Sequence, residues 1–146
     1  MIKVNTKWNQ NMSFISDDGK YSVNMDAKAP IGKGEGLTPK ELVAVGLAGC
    51  TAMDVIAWMK KHKQDVTSFD INTEVDTTTD GHPMVFSKAR LTFTMTGTVE
   101  REKLIEAVTL SQTKYCGVSA MLSKAFPIEY QVILNGETIH EGHASF

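Results

Sequence analysis

The fold is decided by Gly36-Leu37-Thr38-Pro39-Lys40-Glu41-Leu42-Val43-Ala44-Val45-Gly46-Leu47-Ala48-Gly49-Cys50-Thr51-Ala52-Met53-Asp54-Val55-Ile56-Ala57-Trp58-Met59. Thr38 suits a helix N-cap and Pro39 the first helical position. Glu41 completes a Thr-x-x-Glu capping box. From Leu42 to Met59 the predicted helix is apolar nearly all round, and such a helix is buried on every side. A chain this short can supply that cover by adding a second subunit. The helix turns basic at Lys60-Lys61-His62-Lys63, which suits a C-terminus.

Outward from this helix the pattern changes to strands. On the N-terminal side, Ile2, Val4 and Thr6 alternate with Lys3, Asn5 and Lys7. Met12–Ser16 faces Tyr21–Met25 across Asp17-Asp18-Gly19-Lys20, a hairpin signal. Residues 27–37 read as a loop with Pro30 and glycines at 32, 34 and 36. On the C-terminal side, strands are expected at Phe69–Asp76 and Phe86–Thr96, around a turn at Thr78–Pro83. Helices follow at Glu100–Thr113 and about Tyr115–Ala125, stopped by Pro127. Ile128–Leu134 is a strand, and Asn135-Gly136 turns it into a last short strand near Thr138–His140. This order predicts an α+β fold with an antiparallel sheet.

Size and composition narrow the function. The 146 residues are expected to form one domain, 1–146. A hydrophobic content of 42% with 22% charged residues excludes a disordered chain. A net charge of −2 offers no basic field for nucleic acid or anionic lipid. No uninterrupted apolar run reaches about 18 residues, so no membrane span is expected. The N-terminus has no apolar stretch behind its lysines, so no signal peptide is expected and the cytoplasm is the expected compartment.

The two cysteines are Cys50 and Cys116. They read either as buried hydrophobes or as reactive thiols. Cys50 lies inside the long helix. Gly46 and Gly49 beside it are poor helix formers, which points to close approach of another backbone or to access to the thiol. Asp54 lies one turn after Cys50 on the same face, where a carboxylate raises a thiol pKa. Cys116 sits where one helix breaks and the next begins, a position whose dipole favours a thiolate. His140 and His143 lack helical ligand partners, while His62 and His82 lie in a helix end and a turn. Gly32-Lys33-Gly34-Glu35-Gly36 lacks the spacing and the ending of a phosphate loop. No cofactor and no metal are called for.

Two segments resemble the OsmC/Ohr family of osmotically inducible and organic hydroperoxide resistance proteins. Gly36 to Leu42 followed by Ala48-Gly49-Cys50 resembles its first motif. Leu110-Ser111-Gln112-Thr113-Lys114-Tyr115-Cys116-Gly117-Val118-Ser119 resembles the segment that carries its second cysteine. Cys50 to Val55, Lys63 to Val66 and Lys114 to Cys116 are most similar to a YhfA-like branch. The resemblance implies an OsmC-like fold, with antiparallel sheets wrapped around long central helices in an intertwined homodimer. It implies a thiol peroxidase that reduces organic hydroperoxides. Cys50 would be the nucleophile, oxidised to a sulfenic acid that condenses with Cys116 to a disulfide. A dithiol reductant, such as a dihydrolipoyl group, would reopen it.

The chain departs from the family in two places. Lys40, not Glu, follows Pro39, with Glu41 one position later. The only arginines are Arg90 and Arg101, neither N-terminal. Lys40, Glu41 and Asp54 are therefore the candidate supports of the thiol site. The alternative reading is a non-catalytic protein of the same fold that binds a small apolar or thiol ligand at the dimer interface.

Overall fold

A computed structural model describes residues 1–146. Its contacts fall into two units, Met1–Val43 and Ala44–Phe146, with the boundary inside the long helix. The N-terminal unit holds an antiparallel three-stranded sheet of β1 (Asn5–Trp8), β2 (Phe14–Asp17) and β3 (Ser22–Met25). The Asp-Gly hairpin forms as the sequence predicts. Asp18 accepts the N–H groups of Lys20 and Tyr21 at 2.9 and 2.7 Å, which hold its carboxyl below the usual carboxylate range. Gly19 takes a positive φ of 92°, a conformation that favours glycine. The first strand starts later than the alternation suggests, which leaves Ile2 and Val4 outside the ladder.

The loop before the long helix is organised by Asp26. Its buried carboxylate accepts N–H groups of Ala27 at 2.7 Å and Glu35 at 3.2 Å. The capping box then forms as read. Thr38 N–H donates to Glu41 and Glu41 N–H donates to the Thr38 hydroxyl, each at 3.2 Å. These bonds start α1 (Pro39–Lys61).

The second unit is built on a four-stranded sheet ordered β4-β5-β6-β7, from β4 (Asp65–Thr77), β5 (Phe86–Thr98), β6 (Ile128–Leu134) and β7 (Glu137–His143). The sheet is mixed, not antiparallel throughout. β5 and β6 run parallel, because two helices, α2 (Arg101–Leu110) and α3 (Gly117–Leu122), carry the chain back between them. β4 and β7 are longer than predicted. Polar residues at their ends pair with a neighbour, as Asp65 does with Thr98 and His143 with Glu129. Strand β5 supplies the alternating core residues Ala89, Leu91, Phe93 and Met95. They pack with Ile128, Tyr130, Val132 and Leu134 of β6 and with Leu104, Ala107 and Val108 of α2.

Helix α1 corrects the sequence reading in two ways. Only one stripe, Leu47, Thr51, Val55 and Met59, is buried, at the spacing of a single helix face. Val45 and Met53 are 52% and 76% exposed, so the chain by itself does not cover the helix on every side. In addition, this 23-residue helix is long and apolar enough, by length and composition, to cross a membrane. Run length missed this because Asp54 interrupts the run, whereas the average over a window tolerates one charge. Leu47, Val55 and Met59 of the buried stripe join the core of the second unit.

Candidate functional site

Helix α2 does not continue to Thr113 as its amphipathic pattern suggests. After Leu110 it widens into a π-helical turn over Ser111–Tyr115, closed by Cys116 N–H donating to the Ser111 carbonyl at 2.9 Å. Residue Cys116 leaves helical geometry at φ −72°, ψ 101° and becomes the N-cap of α3. Its sulfur accepts the Ser119 N–H at 3.3 Å. No proline or glycine within the turn signals this change; the first glycine is Gly117.

Cys50 and Cys116 lie near each other, both as free thiols. Cys116 is fully buried, while Cys50 on α1 is partly exposed. Burial pushes the Cys116 thiol above its ordinary range. Hydrogen bonds from the Ser119 side chain and backbone N–H oppose this, and the Cys50 side chain adds to the upward push. Gly46 and Gly49 have open space where a Cβ would stand, so within the chain they open the helix face beside Cys50.

A buried polar cluster lies against this pair, and the sequence reading did not single it out. Thr51, Ser111, Gln112 and Ser119 are all fully buried. Ser111 Oγ donates to the Asp54 carboxylate at 2.8 Å and shares a 2.6 Å bond with Thr51 Oγ1. Gln112 Nε2 donates to Thr51 at 2.9 Å and to Ser119 at 3.1 Å. The available signal was Thr51 on an otherwise apolar stripe, and Ser-Gln where α2 should present apolar residues.

The other candidates have the following partners and places. Asp54 accepts a hydrogen bond from Ser111 at 2.8 Å. Glu41 belongs to the N-terminal unit, where Thr38 and then Lys28, at 3.1 Å, lower its pKa. Lys40 is exposed in the first turn of α1, in the same unit. The arginines are engaged on the sheet. Arg90 makes a two-pronged pair with Asp76 at 2.7 and 2.8 Å, and Arg101 lies 3.7 Å from Glu137.

The profile of the OsmC-like protein family matches residues 32–131. The chain belongs to this family. It is 29% identical over 140 residues to protein YhfA of Escherichia coli K12, covering 90% of this chain and 98% of that protein. A hypothetical protein from Aquifex aeolicus VF5 superposes with a TM-score of 0.78 at 26% identity, over 92% of this chain and 98% of that one. An organic hydroperoxide resistance protein from Legionella pneumophila shares the fold at a TM-score of 0.68 and 16% identity, over 90% and 95% of the two chains. The fold is thus the α+β OsmC-like fold, with mixed sheet pairing and a central helix.

Proposed function

We propose that this protein is a thiol-dependent peroxidase that reduces organic hydroperoxides. The observation that carries this reading is the nearness of a partly exposed free thiol, Cys50, to a buried one, Cys116. The Cys50 thiolate attacks the hydroperoxide. An S–O bond forms, the O–O bond breaks, and the alcohol leaves. Cys116 then attacks the sulfenic sulfur, water departs, and a Cys50–Cys116 disulfide remains. A dithiol of the dihydrolipoyl class supplies two electrons and exchanges the disulfide open. The organic hydroperoxide resistance protein of Legionella supports the substrate class by its name, and the fold it shares supports the scaffold. A reducing cytoplasmic setting suits two free thiols.

A homodimer completes this reading, because the exposed Val45 and Met53 on α1 need cover. A second reading, ligand binding without turnover at the dimer interface, is favoured by the commitment of Arg90 and Arg101 to the sheet.

The deciding experiment follows consumption of tert-butyl hydroperoxide with a dithiol, for wild type and Cys50→Ser, with intact mass of the product. Turnover that needs Cys50, with loss of two hydrogens per chain on oxidation, supports the peroxidase. No turnover, with both thiols still reduced, supports the ligand-binding reading.

A further inference from the structure

Gln112 stands between the segments that carry the two thiols. It lies in the π-helical turn and is fully buried. Its side-chain nitrogen, Nε2, donates to Thr51 Oγ1 at 2.9 Å and to Ser119 Oγ at 3.1 Å. Thr51 follows Cys50 directly on α1. Ser119 is the residue of α3 whose backbone N–H donates to the Cys116 sulfur at 3.3 Å. One nitrogen thus joins the neighbour of the first sulfur to the residue that holds the second.

The rest of Gln112 is fixed as well. Its carbonyl accepts the Ser145 N–H at 3.0 Å, just past β7. Serving two hydroxyls from one atom takes two protons, which an amide nitrogen has. Thr51 needs a donor there. It shares a 2.6 Å bond with Ser111, whose own proton goes to the Asp54 carboxylate, so Thr51 gives its proton to Ser111 and offers Gln112 a lone pair. The Gln112 amide oxygen has no protein partner, so the side chain is held through its nitrogen. Ser111 ties α1 to the turn; Gln112 carries the tie on to α3. An aliphatic side chain would fill the same space and bridge nothing.

We propose that Gln112 is a positioning residue for disulfide formation: by bridging Thr51 and Ser119 it holds the Cys116 sulfur within reach of the Cys50 sulfur. When Cys116 attacks the sulfenic form of Cys50, the S–S bond forms, the S–O bond breaks, and the oxygen leaves as water with the Cys116 proton. Fixing two groups near each other speeds their joining without changing how either reacts alone. The proposal rests on the disulfide step of the reading above, but not on a hydroperoxide as oxidant, so a different oxidant tests it.

The full-length reduced protein is mixed with dithiobis-nitrobenzoate, an aromatic disulfide. The Cys50 thiolate takes one half of the reagent and releases a first coloured thiolate. Cys116 then attacks the Cys50 sulfur, closes the internal disulfide and expels a second. The first phase reads access to Cys50, and the second reads the placing of Cys116. Gln112→Met, similar in length but without a donor, should slow the second phase about tenfold, roughly the worth of one hydrogen bond, and leave the first unchanged. Thr51→Val and Ser119→Ala each cut one end of the bridge and should also slow the second phase. Gln112→Met should add little to the two together. These two variants carry the test if Gln112→Met does not fold. Val132→Ala weakens the core without touching the bridge and should leave both phases as in wild type. A second phase unmoved by loss of the bridge, or slowed equally by Val132→Ala, would overturn the proposal, as would a wild-type protein that releases only one thiolate. Intact closure without hydroperoxide turnover would sink the peroxidase reading and leave this one standing.

Discussion

The two cysteines occupy opposite kinds of surroundings. Cys50 stands in the middle of a long helix, flanked by glycines with open space beside them, and is partly exposed. Cys116 stands at a break between helices, fully buried, with its sulfur accepting from the residue that starts the next turn. One site is made by leaving things out, and the other by fixing side chains in place. The contrast teaches that one thiol is open to molecules in solution while the other is shielded from them.

The largest effect that could break this contrast is in reactivity toward a bulky alkylating agent. A protein carrying only Cys50 should be modified roughly a hundredfold faster than one carrying only Cys116, because modification of a buried thiol waits on local opening. Similar rates, read by mass spectrometry in native buffer, would remove the distinction. Stability comes next. Gln112→Leu leaves Thr51 and Ser119 without their shared donor and should cost about 1–3 kcal/mol in denaturant unfolding. Gly49→Ala should do the reverse on the Cys50 side and stabilise the helix by up to about 1 kcal/mol. A loss at Gly49 would mean that another backbone stands against it, as a second copy of the chain would.

The smallest effect is in pH. The folded protein holds the Cys116 proton more tightly than the unfolded chain does. The unfolded thiol ionises near its usual value of about 8.5. Stability contributed at neutral pH is therefore lost as pH rises from there toward the folded value. Cys116→Ser should flatten that decline when denaturant midpoints at pH 7 and about pH 9.5 are compared in the presence of reductant.

Much of this was legible in the residues. Thr38-Pro39-Lys40-Glu41 announced the start of α1, and Asp18-Gly19 and Asn135-Gly136 announced hairpins, because capping and positive φ are local demands with few residue solutions. Cys50 and Cys116 were legible as candidates. The parallel pairing of β5 with β6 was not, since alternation along a strand carries no direction. The π-helical turn was also hidden, because widening by one residue between Ser111 and Cys116 leaves the composition of a helix unchanged. Asp54 was read as a charge near a thiol. Its partner Ser111 lies on a distant segment, so the bond that defines its role exists only after folding.

The parallel pair also has a consequence for the newly made chain. Cys116 lies in the crossover that joins β5 to β6, and that crossover is closed only when β6 has docked along β5. Non-local strand pairing of this kind forms slowly compared with a helix. During synthesis Cys50 therefore leaves the ribosome well before its partner exists, and it stays solitary until the C-terminal strands have been made and docked. The meeting of its two sulfurs is one of the last properties this polypeptide acquires, and a chain truncated before Ile128 would carry both sulfurs without the sheet on which the second unit is built.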